Sequence, residues 1–109
     1  MKKFLFITYG GTERKPEERT EEVMKPWKGW FDSIGENLID GPNPLSKGGQ
    51  SVTADKGAET IPADMWPATG HMIIKAADMD EAVKVAKESP MIVNDEENAA
   101  IRVYEIMSK

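Results

Sequence analysis

Four stretches of the chain predict β-strands, either by their content of aromatic and β-branched residues or by apolar residues at two-residue steps. They are residues 3–9, residues 37–45 with a continuation over residues 50–54, residues 69–76 and residues 100–107. In the first stretch Phe4 and Phe6 share one face, and Leu5, Ile7 and Tyr9 share the other. Because both faces are apolar, we expect this strand to be covered on both sides of its sheet.

Two stretches have apolar residues at three- and four-residue steps and predict helices. The first extends from residue 17 to about residue 37, with Gly35 at a position that favours a helix end. Pro26 lies inside this stretch, so either the helix is kinked there or it starts at Pro26 after a separate turn. The second helix follows Asp78, whose spacing to Glu81 resembles a capping box, and ends at residues 89–90.

Residues 55–68 have no clear periodicity and contain Pro62 and Pro67. We expect a long loop there, and long loops in small domains are usually functional or mobile. A second, acidic loop is expected over residues 94–98, between the second helix and the last strand.

The order strand, helix, strand, strand, helix, strand predicts an α+β fold of ferredoxin-like βαββαβ topology. In this arrangement a four-stranded antiparallel sheet carries both helices on one face. The length of 109 residues allows one domain, over residues 1–109. The other sheet face keeps apolar side chains that need a cover, and face-to-face packing of two sheets in a symmetric homodimer supplies it. The expected assembly is thus a dimeric α/β barrel.

Composition narrows the classes of function. The formal net charge is -5 with 39% hydrophobic and 30% charged residues, so we expect a globular domain that binds neither nucleic acid nor an anionic membrane. There are no cysteines, which excludes disulfides and thiolate chemistry. The first apolar run ends at Gly10 and Gly11, so we interpret it as a strand rather than a signal peptide. A cytoplasmic location is expected by default.

Several short motifs, in order, resemble those of the YCII-related family of small dimeric α/β-barrel proteins. Each motif is weak alone, but their order and spacing extend over nearly the whole chain. They are Lys3-Phe4-Leu5-Phe6 to Tyr9-Gly10-Gly11, Trp27-x-x-Trp30-Phe31, Gly35-x-x-Leu38-x-Asp40-Gly41 with Asn43-Pro44-Leu45, Val52 to Gly57, Gly70 to Ile74, Asp80-Glu81-Ala82, Ala86-x-x-Ser89-Pro90 and Ile101-x-Val103-Tyr104-Glu105-Ile106.

The resemblance implies the fold and dimer described above and little about chemistry, since most members have no established activity. Some members are thought to use a His–Asp pair in a cleft as an acid–base centre, and Asp40 falls where that aspartate would lie. The histidine would be expected in or near the first helix, where this chain has none; its one histidine, His71, stands near the start of the third predicted strand. Asp40 is therefore a catalytic candidate from the resemblance, and His71 is a second candidate from its own chemistry, as a proton carrier.

Each candidate also has a structural interpretation. Asp40 is a general base if it lies in a cleft, but an Asp before Gly41 and Pro42 is also a common turn residue whose carboxylate accepts backbone N–H groups; the turn role is favoured. Asn43 has the same two interpretations, as a ligand-binding or a turn residue. A lone histidine such as His71 is more often an interface residue than a proton carrier.

Aromatic residues supply the other candidates for ligand binding. Trp27 and Trp30 have the spacing of core residues, yet they can form the wall of a pocket while burying most of their surface. Trp66, in the predicted loop, needs a surface to pack on, and a pocket lid or a dimer contact would provide one. Tyr9 is a hydrogen-bond donor at the end of the first strand, or an edge aromatic with a solvated hydroxyl.

No cofactor or metal is expected. One histidine and no cysteine leave only carboxylates as ligands, and the acidic segment over residues 95–97 lacks the spacing of a calcium loop. The pairs Gly10-Gly11 and Gly48-Gly49 lack the context of a phosphate-binding loop.

Three interpretations of function stay open. The preferred one is a homodimer that binds a small organic molecule near the first helix and the corner formed by Asp40 and Asn43. The second is a cofactor-independent enzyme that uses Asp40, with or without His71, and the third is a structural or protein-interaction module.

Overall fold

The computed structural model describes residues 1–12, 16–62 and 66–108. The chain forms an α+β domain whose elements follow one another as β1 (Lys2–Tyr9), α1 (Glu21–Ile34), β2 (Leu38–Pro44), β3 (Gln50–Thr53), β4 (Gly57–Thr60), β5 (Ala68–Ala76), α2 (Met79–Lys87), α3 (Pro90–Val93) and β6 (Ala100–Glu105). Single 3-10 turns over Pro16–Glu18 and Gly35–Asn37 precede and follow α1.

The principal sheet has four antiparallel strands in the order β2-β5-β1-β6. β1 therefore lies between β5 and β6, with Phe4 opposite Ile74 and Phe6 opposite both Met72 and Val103. A central strand is covered on both edges and is the natural place for the most apolar segment of the chain. The strand prediction for residues 3–9 and 69–76 is confirmed within a residue at each end.

The core lies between one face of this sheet and the helices. Phe4 and Phe6 are fully buried, and Met72, Ile74 and Ala76 on β5 lie beside them. The helices contribute four further buried residues to the same cluster, Trp30, Ile34, Ala82 and Ala86. The two-residue alternation of the strands thus selects the face on which α1 and α2 pack.

The helix caps explain where α1 and α2 begin and end. The side-chain oxygen of Thr20 accepts the N–H of Val23, and that of Asp78 accepts the N–H of Glu81. Gly35 ends α1 with a φ of 57°, as the sequence predicts. Helix α1 continues through Pro26 rather than starting there.

The segment after β2 differs from its prediction. The expected long loop over residues 55–68 contains β4, which pairs with β3 in a separate two-stranded antiparallel sheet; residues 63–65 of that loop lie outside the described residues. Residues 50–54 accordingly belong to this hairpin and do not continue β2. Almost every hairpin side chain is exposed, and Val52 is 77% exposed. A strand with two wet faces has no apolar alternation for sequence analysis to detect.

The face of the principal sheet opposite the core is apolar in its centre. Leu5 and Ile73 are directly opposite each other and half-buried, and Ile7 continues the row. Tyr104 lies across from Leu5 on β6 and is 48% exposed. This face, defined by Leu5, Ile7, Ile73 and Tyr104, is called the open face below.

Candidate functional site

An apolar cleft of about 350 Å³ opens at one end of the core. It lies where β1 ends, where β5 begins and where α1 crosses them, with the last residues of β2 and α3 at its sides. Its volume is at the small end of the range for ligand pockets. The cleft therefore has room for one small organic molecule.

Helix α1 supplies the aromatic wall of the cleft. Trp27, Trp30 and Phe31 all line it, and their ring centroids are 5.4 to 6.3 Å apart. Such tilted and edge-to-face arrangements are the favoured ones for aromatic rings. The three rings form one rigid surface because each packs on the other two.

Trp30 and Trp27 have different roles in this wall. Trp30 is 6% exposed, and its indole N–H donates to the carbonyl oxygen of Val85 on α2 at 3.0 Å. That hydrogen bond satisfies the polar atom of a buried indole and ties α1 to α2. Trp27 is half-buried with no hydrogen bond among the described residues, so more of its ring can meet a ligand.

Methionines extend the apolar lining. Met24 lies on α1, Met72 on β5 and Met91 on α3, and all three line the cleft. Unbranched thioether side chains adapt their shape to irregular guests and contact aromatic rings favourably. An aromatic wall with flexible methionines around it suits a planar apolar group.

The polar end of the cleft is built by the turn that follows β1. The backbone N–H of Gly11 donates to the Glu97 carbonyl oxygen at 2.8 Å, and the N–H of Thr12 donates to a carboxylate oxygen of Glu96 at 2.7 Å. The hydroxyls of Thr8 and Thr69 lie 3.2 Å apart on adjacent strands. These contacts join β1, β5 and the loop before β6 into one rim.

Four of the predicted site residues contribute atoms to the lining of the cleft. Trp27, Trp30 and Asn43 line it, as does His71, which is half-buried. Asn43 is opposite His71 in the ladder between β2 and β5. Alternation along β5 places the His71 side chain on the open face, while its neighbours Gly70 and Met72 face the helices.

Tyr9 and Trp66 lie together outside the lining of the cleft. Their rings meet edge to face with centroids 6.4 Å apart, and the guanidinium carbon of Arg102 lies 4.9 Å from the centre of the Tyr9 ring. Alternation along β1 turns Tyr9 toward the open face, since Thr8 lines the cleft. Because neither residue lines this cleft, their ligand-binding role stays a prediction.

Asp40 also lies outside the lining. It is exposed within β2, directly opposite Ile73 of the open face. The segment pairs with β5 from Leu38 to Pro44, with irregular register on both sides of Asp40, where the sequence favoured a turn. Among the described residues no hydrogen bond to its carboxylate is found, so neither the turn role nor a position in this cleft is observed, and its catalytic role stays a prediction.

Several residues of the cleft lining were not predicted from the sequence. Met24 and Met91 look like ordinary core positions, and Arg19 and Glu96 sit in charged segments that resemble solvated surface. Their shared location depends on how α1 and the loop before β6 approach the end of β1. The periodicity of one segment contains no information about how distant segments of the chain pack against one another.

The described residues contain neither a cluster of metal-ligating side chains nor a helix that could span a membrane. No group of three or more His, Asp or Glu side chains there could hold a metal ion. In the same part of the chain no helix is both long and apolar enough to cross a membrane.

The fold and cleft thus define a class, an α+β protein with a four-stranded antiparallel sheet and an apolar cleft at the end of its core. No family model, curated protein or solved structure matches the chain. The resemblance to the YCII-related family therefore stays a prediction.

Proposed function

We propose that the protein is a homodimer that binds a small organic molecule in the cleft beside α1. The observation that carries this proposal is the cleft itself, with the half-buried rings of Trp27 and Phe31 on one wall. Apolar concave sites with a few polar groups at one end are the usual form of small-molecule sites. A solid core without a cleft would have favoured the interaction module.

The strand order supports the ferredoxin-like part of the proposal. The order β2-β5-β1-β6 places the first and third main-sheet strands of the chain, β1 and β5, side by side at the centre. A split βαβ repeat requires this order. Membership of the YCII-related family rests on the motifs of the sequence alone.

The open face supports the homodimer. Leu5, Ile7 and Ile73 form a contiguous apolar row on the central strands, which are the ones that a second sheet would cover first. A symmetric dimer pairs the same patch of both copies and needs no other partner.

A thermal-shift screen against a broad metabolite panel tests the binding proposal. A ligand at one hundred times its dissociation constant stabilises by about 2.7 kcal/mol, which raises the melting temperature of a domain of this size by several degrees. We expect a shift that is lost in Trp27→Ala. Trp66→Ala is the matched control, because it removes an equally large ring outside the cleft. A shift retained in Trp27→Ala and lost in Trp66→Ala would place the ligand elsewhere.

No specific observation favours the enzyme or the interaction module over binding. The acid–base candidate Asp40 is exposed and lies outside the cleft lining. The alternative of catalysis by Asp40 keeps its basis in the sequence only.

A further inference from the structure

The charges around the cleft narrow the class of ligand that it would take; this step rests on the proposed function. Arg19 and Glu96 are the charged residues among the described residues that line it. A molecule held against the aromatic wall meets one cationic and one anionic group at the mouth. The contacts that each group already makes within the protein decide which of them is available to the ligand.

Glu96 is already engaged. One of its carboxylate oxygens accepts the backbone N–H of Thr12 at 2.7 Å, which fixes the loop before β6 against the end of β1. A short hydrogen bond to a carboxylate is among the stronger ones in proteins. Glu96 therefore stabilises the rim of the cleft through this hydrogen bond.

Arg19 is not engaged in the same way. It stands directly before the N-cap residue Thr20, and within the described part of the chain no carboxylate lies within ion-pair distance of its guanidinium. Guanidinium has five donors in a planar fork that matches a carboxylate in two parallel hydrogen bonds. An arginine that has no carboxylate partner among the described residues, at the mouth of an apolar cleft, is well suited to an anionic group.

The negative charges near Arg19 favour an anion that carries a single negative charge. The exposed residues Glu17, Glu21 and Glu22 flank Arg19 in the sequence, and the whole chain has a net charge of -5. Their field repels a multiply charged group such as a phosphate more than a single carboxylate. One arginine also supplies fewer donors than phosphate sites normally have.

We propose that the cleft binds an aromatic monocarboxylate, with its ring against Trp27 and Phe31 and its carboxylate on Arg19. Met24 and Met91 close around the ring, since both line the cleft beside the aromatic wall.

Two series of three compounds test this assignment, and the compounds of each series have nearly the same shape. Indole-3-acetate, indole-3-acetamide and tryptamine share a ring and differ in whether the head group is anionic, neutral or cationic; phenylacetate, phenylacetamide and phenethylamine repeat the series with a smaller ring. Isothermal titration of each measures the dissociation constants for the native protein, for Arg19→Gln and for Lys25→Gln. Lys25→Gln removes the same charge from the exposed side of α1, outside the cleft lining.

The acids should bind more tightly than the amides, and the amines most weakly. In Arg19→Gln the affinity for the acids should fall about fivefold, as expected for an exposed ion pair, while the amides and Lys25→Gln stay unchanged. Equal binding of acid and amide, or an equal loss in Lys25→Gln, would overturn the carboxylate assignment and leave the cleft as a binding site. No binding by any probe in either series would overturn this inference, whereas the metabolite screen tests the cleft separately.

Discussion

Gly10 connects β1 to the rim of the cleft, and its conformation explains why no other residue fits there. Its φ is +67°, and a Cβ at this position would overlap the backbone carbonyl oxygen of Asn98. The next residue, Gly11, donates its N–H to Glu97 in the same loop. The close approach of two backbones at this point keeps the polar end of the cleft in place.

We expect Gly10→Ala to lower the free energy of unfolding by about 2 kcal/mol or more, because it adds both a positive-φ strain and a backbone overlap. Urea denaturation measures the change. Gly29→Ala is the matched control: its site in α1 has no atom within 4 Å of the added Cβ, so it should stabilise the protein by about 0.5–1 kcal/mol. Equal stability of the two variants would contradict the contact between β1 and the loop before β6.

At the residue scale, the sequence predicted part of the cleft lining. Trp27, Trp30 and Asn43 were predictable because aromatic spacing and a polar residue at a strand end mark a pocket wall. Tyr9 lies outside this lining because the same alternation that buries Phe6 turns it toward the open face, and its ligand-binding role stays a prediction. Arg19 was not predictable, since nothing in its acidic neighbourhood distinguishes it from solvated surface.

Helix α2 shows how local sequence determines an element. Its N-cap residue Asp78 accepts the N–H of Glu81 at 2.9 Å, and Lys84 and Lys87 lie toward its C-terminus, where positive charge complements the helix dipole. Ala82 and Ala86 form its buried stripe. Small residues let this helix lie close to the sheet.

Replacing Asp78 by Ala should therefore cost about 1 kcal/mol of stability, within the usual range for an N-cap. Asp80→Ala is its control, since Asp80 is exposed in the first turn of the same helix and caps nothing. Thermal melts of both variants distinguish the cap from a general effect of negative charge near the helix start. A larger loss in Asp80→Ala than in Asp78→Ala would show that charge, rather than the cap, is what matters.

At the element scale, the elements with one buried face were the ones that the sequence predicted. The strands and helices that contribute to the core were predicted with bounds close to those observed, because one buried face imposes a period on the sequence. The hairpin of β3 and β4 was missed since its side chains are exposed on both faces. The helix α3 was missed because it has only the four residues Pro90–Val93, too few for a period to repeat.

The molecule as a whole is flat, with extents of 42 × 42 × 21 Å and a radius of gyration of 15.1 Å. A compact domain of this length would have a radius of gyration of about 13 Å. The difference agrees with two layers, the sheet and the helices, and with a hairpin whose side chains are exposed. A second copy on the open face would add the missing layer.

The proposed homodimer predicts that one apolar side chain on the open face decides whether the protein is a dimer or a monomer. Analytical ultracentrifugation of the native protein should give a molecular mass of twice the 12.1 kDa of one chain. The Ile73→Lys variant should give a mass of 12.1 kDa with an unchanged circular dichroism spectrum. Val93→Lys makes the same replacement on α3, away from the sheet, and should stay dimeric. A native protein that sediments as a monomer would rule out the dimer.

Methionine methyl groups provide the most direct test of the cleft. Met24, Met72 and Met91 line it, whereas Met1, Met79 and Met107 lie outside the lining. Methyl NMR spectra of methionine-labelled protein, assigned with Met→Leu variants, would be recorded with indole-3-acetamide and with each compound that the thermal screen identifies. We expect the signals of Met24, Met72 and Met91 to shift while those of Met1, Met79 and Met107 stay in place. Shifts of Met79 or Met107 with unmoved cleft methyls would contradict a binding site beside α1.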